Sequence, residues 1–546
     1  MVVLLTLPFA LLLPAVVHAA NNWNSPCHSG ECSYDLHNST HTGSVRASMV
    51  ISGSTSAIAD LTPAAGWQIL NCNATSTSQD IRAICTGNDN DCAHLYQNGA
   101  VGTIVRLPDG CGKMPFARIA AEWNHDDQSV PETVAQNISR RADPPTVRGI
   151  TLDTQWHKID PNHHGTVNMF VQGATGNATL PAVSARELHE RGLFSSIGHA
   201  ISSAASSVTN ALKDLSFNVD KSSTKTLDIN QPFTLLDKKK SCPASGLIPA
   251  RTVGLHVDVN AKAHADIDYG VVASGSIVPP KVSDFGIFAD FDAQLSGTVD
   301  VDASASVTMD SGKLMIFQVG LPGLDFPGIL TIGPSFQVTA QTVAKAQADM
   351  TMAVDLAYKV SGAKLYFPPG HGSSMGTFAP SDTHLQLSAD PSVSATGSIS
   401  AHVIPAVLFG INALDGLANA DVELDLDAYA ELDLTLSMTA QKAFTGCADV
   451  KTGLTVSASA NGSFFSLFNK STVVTVFSKS FDLFKKCFGN AHRRDHAKAL
   501  LGSSFARSLE ARSIEARADP TCDGSFGTST AKTALTSGTI PANSIH

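Results

Sequence analysis

The chain has 546 residues, 43% of them hydrophobic and 16% charged, with a formal net charge of −11. That length accommodates several domains, and the hydrophobic fraction is enough to bury large cores. An acidic balance disfavours nucleic acid and anionic membrane surfaces as partners.

The chain opens MVVLLTLPFALLLPAVVHAA, apolar from Val2 to Val17 with small residues at Ala19 and Ala20. This reads as a secretory signal peptide over residues 1–20, too short and too weakly flanked for a membrane anchor. No later window reads as a membrane span, and the polar TIPANSIH carries no lipid-anchor signal. Six N-x-S/T sequons, at Asn38, Asn73, Asn137, Asn177, Asn461 and Asn469, are the candidate glycosylation sites. Ten cysteines follow the signal, an even count that fits an oxidising route.

Residues 21–180 form a Cys-rich N-terminal domain with short β-like runs such as SVRASMVIS and GAVGTIVRL. Cys27, Cys32, Cys72, Cys85, Cys92 and Cys111 allow about fifteen pairings, and spacing does not choose among them. No C-x-x-C pair is present, which argues against a zinc site. The Pro/Arg-rich stretch around 130–146 reads as a linker or exposed loop. Residues 192–216 change period: Phe194, Ile197, Ile201, Ala205, Val208, Leu212 and Leu215 form one apolar stripe of an amphipathic helix. Its other face is mostly serine, lacking the Lys/Arg of a membrane-surface helix.

Residues 242–487 form a large antiparallel β domain. VGLHVDVNAKAHADIDYGV, residues 253–271, alternates apolar and polar almost without fault. Strict period two marks a strand with one buried face, and nineteen residues at ~3.3 Å each give about 63 Å. Similar runs lie at 287–309, 336–360, 385–403 and 418–440, separated by turns such as IVPPK and YFPPGHG. The expectation is a mainly β protein: a long-stranded antiparallel two-layer sandwich or flattened barrel. To it are added a smaller disulfide-bonded, β-rich N-terminal domain and one amphipathic helix. Shorter strands near 452–462 and 472–483 flank SLFNK as a hairpin that sets Cys447 opposite Cys487, predicting a disulfide. Cys242 and Cys522 remain, and pair by elimination. The tail, 488–546, reads as helical or disordered. Arg140-Arg141 and Arg493-Arg494 are dibasic sequences of the kind cut in exported chains.

Small residues interrupt each buried face, among them Ala261, Ala263 and Ala265, Ala303 and Ala305, Ala344 to Ala348, Gly397, and Ala428 and Ala430. If register aligns them, a shallow trough crosses the sheet. The amphipathic helix is expected to fill it, and an apolar ligand is the alternative.

Between Val253 and Ala440 lie 21 Asp/Glu and 6 Lys. Same-face carboxylates on one strand stand about 6.6 Å apart, too far to enclose calcium without help from a neighbouring strand or loop. They read instead as charge that keeps long flat strands from pairing edge to edge. GSSMG matches G-x-S-x-G, with Ser374 as nucleophile and His371 nearby, yet it lies in a loop between alternating strands. His163 and His164 are adjacent in a turn. His256 and His264 share a face but are about 26 Å apart. Glu122, His125, Asp126 and Asp127 crowd Trp123 without a second half. None of these sets makes a catalytic, cofactor or metal site, and no cofactor is expected.

ECSYDL, LTPAAGWQIL, QDIRAIC, CAHLYQNGAVGTIVRLPDGCGKMPFARIAAEW and DQSVP resemble an uncharacterised family of secreted proteins of basidiomycete fungi. SCPASGLIP, LTIGPSFQV and GCADVKTGLTVSASANGSFF resemble the β-rich second domain of fungal extracellular proteins of unknown function. Together they span most of residues 25–487. The resemblance implies an extracellular or cell-wall setting and brings no catalytic residues. The resulting expectation is a non-enzymatic secreted β-protein with an extracellular or cell-wall partner. The alternatives are a module binding an apolar or glycan ligand in the large domain, or a glycosidase-like enzyme using cross-strand carboxylates. Neither the small-molecule ligand nor the oligomeric state is encoded legibly.

Overall fold

The computed structural model describes residues 21–40, 43–138, 145–176, 180, 208–213, 215, 226–368, 375–438, 444–462, 473–488, 520–522, 526–528 and 531–544. The signal-like segment, both dibasic pairs, Ser374, His371, Asn177 and Asn469 lie outside the described residues. The chain divides into two compact units. The smaller takes Met1–Leu36, Ser48–Thr154 and Lys158–Val167, and the larger takes His37–Ala47, Gln155–His157 and Asn168–His546.

The first eight strands are β1 (Glu31–Thr40), β2 (Gly43–Ser52), β3 (Ile58–Asp60), β4 (Trp67–Asn71), β5 (Gln79–Cys85), β6 (Ile104–Arg106), β7 (Phe116–Asn124) and β8 (Arg148–Asp153). In the smaller unit six of them form a sheet in the order β3-β6-β7-β8-β5-β4, antiparallel except for the pair β3–β6. Its core is an apolar cluster that includes Leu61, Trp67, Ile81, Val105, Ile119 and Ile150. Disulfides Cys27–Cys32, Cys72–Cys111 and Cys85–Cys92 resolve the open pairing. Two buried ion pairs, Arg106–Asp60 and Arg118–Asp153, cross between strands. Each guanidinium places two nitrogens on the carboxylate, the forked geometry that makes a buried pair tolerable.

The remaining strands are β9 (Val167–Thr175), β10 (Thr226–Cys242), β11 (Arg251–Val278), β12 (Lys281–Asp310), β13 (Leu314–Gly320), β14 (Leu324–Phe326), β15 (Leu330–Phe367), β16 (Met375–Pro380), β17 (Thr383–Ala389), β18 (Ala395–Ala413), β19 (Ala418–Met438), β20 (Phe444–Asn461), β21 (Val473–Phe488) and β22 (Thr533–Ile540). The large unit is built on the order β9-β11-β12-β15-β18-β19-β20-β21. Every pairing with resolved register from β10 to β22 is antiparallel. The expectation of a mainly β protein with long antiparallel strands is met.

β15, of 38 residues, is the spine. Its first half pairs β18 on one edge and β13 and β14 on the other. Its second half pairs β12 on one edge and β16 and β17 on the other. The two halves of the sheet face each other. Tyr269 of β11 meets Phe409 of β18 at 5.3 Å between ring centroids, and Phe378 of β16 stacks on Phe477 of β21 at 4.8 Å. The Tyr358 hydroxyl of β15 donates to Gly453 O of β20 at 3.0 Å.

Several boundaries differ from the sequence reading. β11 runs on to Val278, because VVASGSIV is buried on both faces and period two stops marking it. The run expected at 385–403 is two strands, β17 and β18. Pro391 supplies no N–H to a ladder, and Asp390 Oδ1 accepts from Ser392 N and Oγ, closing a turn. The tail, expected helical or disordered, contributes β22, which pairs β17. TALTSGTI has no clean alternation, so only its partner strand reveals it. The interval assigned to the N-terminal domain, 21–180, also proves divided, since residues 37–47 and 168–176 belong to the large unit.

Residues 208–213 of the expected 192–216 helix are helical, and Val208, Leu212 and Leu215 are buried. Phe194, Ile197, Ile201 and Ala205 lie outside the described residues.

Candidate functional site

The large unit carries two features that chemistry could use: a gap between the facing halves of the sheet, and a charged network on the opposite face of β18 and β19.

The gap is apolar. Val259, Ala261, Ala263, Leu295, Gly297 and Val299 wall it on one side, and Val338, Val403, Pro405 and Ala428 on the other. About 450 Å³ there is free of atoms, part of it open to solvent. A second space, lined by Ala265, Ile267, Phe291, Phe336 and Leu426, adjoins it through the shared Leu295 and Pro405. Register explains the gap. Ala261 lies opposite Gly297, Ala305 opposite Ala348, Ala346 opposite Gly397, and Ala401 opposite Ala430. Small thus meets small across several ladders, as the trough requires, but of the small residues Ala261, Ala263, Gly297 and Ala428 border the first space and Ala265, Ala293 and Ala406 the second. A side chain at Gly297 would run into the Asn260 carbonyl, so that wall stays thin.

On the other face, His402 is 8% exposed and sits in the ladder between Gln341 of β15 and Tyr429 of β19. Its Nδ1 is 2.8 Å from Asp427 Oδ1, and its Nε2 is 3.1 Å from Ser400 Oγ. A serine, an imidazole and a carboxylate are therefore linked in order, the connectivity of a nucleophilic triad. Its backbone setting differs from that of such a triad. From Thr396 to Val403, β18 is paired on both edges, so its backbone offers no free N–H groups to stabilise an oxyanion. Burial alone would lower the His402 pKa, but Asp427, then Glu431 and Asp310, outweigh it and raise the pKa.

Carboxylates share this face. Burial pushes Asp425 up to about 6 despite a hydrogen bond from Ser457, and Glu423 and Asp427 add to the rise. Burial, then Asp433, also raises Glu431. Lys451 reaches Asp433 and Asp449, each at 3.6 Å. The arrangement is a mutually compensated charge network. No group of three or more His, Cys, Asp or Glu among the described residues is placed to hold a metal ion.

The remaining candidates are accounted for locally. His256 meets Asp237 and Asp258, while His264 meets Asp228, so the two histidines have separate partners. Glu122 bonds Arg148, and Asp127 pairs Arg82 at 3.1 Å. His125 Nδ1 accepts from the Asp127 N–H in a turn. Met375 and Gly376 of GSSMG already belong to β16, a strand where a nucleophile elbow needs a helix. Cys447 and Cys487 face each other in the β20–β21 ladder and are bonded, and Cys242 is bonded to Cys522.

Sequence reasoning missed the Ser400–His402–Asp427 chain. Its signal, S-x-H on an outward face with an acid on the next strand, becomes visible only once the β18–β19 register is known.

Residues 257–489 match the family described as Domain of unknown function (DUF7223). The match covers β12 to β21 entirely and β11 from its seventh residue, so it takes in both the gap and the charged face. No curated protein matches the chain, and no solved structure does. Among the described residues no helix is long and apolar enough to cross a membrane.

Proposed function

We propose that this chain is an exported, non-enzymatic β-protein that acts outside the cell, in a fungal wall-associated setting, through binding rather than catalysis. The carrying observation is that all ten cysteines are paired in five disulfides, with no free thiol. Full pairing is the pattern of a secretory route and is rare where glutathione keeps thiols reduced. Asn73 and Asn461 are exposed and open to glycosylation, whereas Asn38 donates its amide to Gly323 O at 3.0 Å. The acidic outer face argues against nucleic acid as partner.

The gap supports a second reading, a module for an apolar ligand. Interiors pack at crystal-like density, and an apolar space of this kind is filled by hydrocarbon or stays dry. Native mass spectrometry of the secreted protein tests both readings. The first expects glycan mass at Asn73 and Asn461 and none at Asn38, with no small molecule retained. A co-purifying apolar molecule would move the assignment to the second. Free thiols and no glycan on protein from the native source would remove the first.

The same reading expects no acyl-transfer chemistry. A fluorophosphonate probe should label neither Ser374 nor Ser400. Labelling abolished by Ser400→Ala would turn the charge network into an active site.

A further inference from the structure

In the smaller unit, the segment from His94 to Gly102 is held at each end by a pair of imidazoles. At the first end, His94 opens a 3-10 turn, His94–Tyr96, and its ring stacks on His28 with centroids 4.1 Å apart and planes 14° from parallel. His94 is 8% exposed, and neither ring nitrogen meets a hydrogen-bond partner of good geometry. At the second end, His163 and His164 of the turn Pro161–His164 meet edge to face at 4.7 Å. His164 is buried with Nδ1 unpartnered, and its ring occupies the place a Cβ at Gly102 would need. The two chain segments are tied by Asn98 Nδ2 donating to His163 O at 2.7 Å, with His163 Nε2 3.0 Å from Asn98 O.

Few charges oppose these rings. Asp60, already bound by Arg106, faces His94. Asp160, which accepts from Asn162 N, faces His164. Glu122 and Arg148 meet Tyr96, in the middle of the segment.

We propose that the His94–Gly102 segment is an acid-released loop, freed when protonation of His94 and His164 sets each as a buried cation against a second imidazole. A neutral imidazole tolerates burial better than an imidazolium without a carboxylate partner, and the backbone of His28 beside His94 and of Val101 beside His164 offsets only part of that cost. Burial first, then the neighbouring histidine, lowers the pKa of both inner rings. The sign follows: the native state binds these protons less readily than the unfolded chain, so the clamp is intact above the ordinary histidine value and is lost as pH falls through the lowered one. The freed segment carries Tyr96 and Val101, already 40% and 50% exposed, so release would present an apolar surface.

Hydrogen exchange of the full chain, compared at about pH 7.5 and about pH 5 after correction for intrinsic rates, tests this. Protection of residues 94–102 is expected to fall at least about tenfold at the lower pH, while β7 and β8 keep theirs. Equal protection at both values would overturn the proposal. His94→Gln and His164→Gln, which cannot protonate, should flatten the response. His163→Asn, at an exposed position, removes the like charge, brings the His164 pKa back toward its ordinary value and should weaken the acid response, moving release to lower pH. An unmoved release point would overturn the role of the imidazole pairs.

Discussion

Replacing Cys242 and Cys522 together by serine is expected to lower the stability of the large unit by about 5 kcal/mol. The bond closes a loop of 280 residues, and the chain entropy it removes from the unfolded state scales with the logarithm of that length. Its sulfurs lie in an apolar cluster with Val253, Ala305, Val393 and Phe526. Arg251 donates to Cys522 O, Gly527 N donates to Asp349 Oδ2, and Lys532 bridges Asp302 and Asp349. Those ties are non-covalent and do not restrict the unfolded chain as a covalent link does. The measurement is the denaturant midpoint of the large unit, read from exchange of β15 and β17 amides. An unchanged midpoint would show that the non-covalent contacts alone hold the C-terminal segment.

Raising pH from about 5 to about 8 is expected to destabilise the large unit by about 2–5 kcal/mol. Asp284 and Asp425 are each pushed by burial from the ordinary aspartate range up to about 6. Their native carboxyls therefore hold protons that the unfolded chain has released. Stability from this source is complete below the unfolded value and is lost as pH rises through about 6. Each contributes about 1–3 kcal/mol once partial exposure is discounted. His402, with its pKa raised, acts in the same direction, since its buried cation is stabilised by Asp427, Glu431 and Asp310 until it deprotonates. Asp425→Asn should raise the midpoint at the higher pH and leave it nearly unchanged at the lower. A midpoint that climbs with pH in the wild type would refute this account. The clamp in the smaller unit runs the opposite way, so mild acid is expected to tighten one unit while loosening a loop of the other.

Much of the large unit was legible because alternation is local. In Val253–Tyr269 each odd residue is buried in the structure, and the Cys447–Cys487 register follows from the hairpin's symmetry. Features that depend on a distant partner were not legible. β22 has no pattern of its own and exists because β17 offers an edge. Ser400, His402 and Asp427 are ordinary outward residues until register sets β18 beside β19. The stacked rings of His28 and His94 are 66 positions apart and no periodicity joins them. In the gap, composition showed where small residues fall, while strand pairing decided which of them border empty space.

The pairing of β17 with β22 joins Thr383 to Ile540 and Ala389 to Thr533. A ribosome moving at about 5–20 residues per second completes β22 about 8–30 s after β17. Throughout that interval THLQLSA has one bare edge, with Leu385 and Leu387 already committed to the core side. An open strand edge is a template for a neighbouring nascent chain. The large unit thus reaches its protected form late in synthesis, and its yield should depend on how well crowding and chaperones shield that one edge until the C-terminal segment arrives.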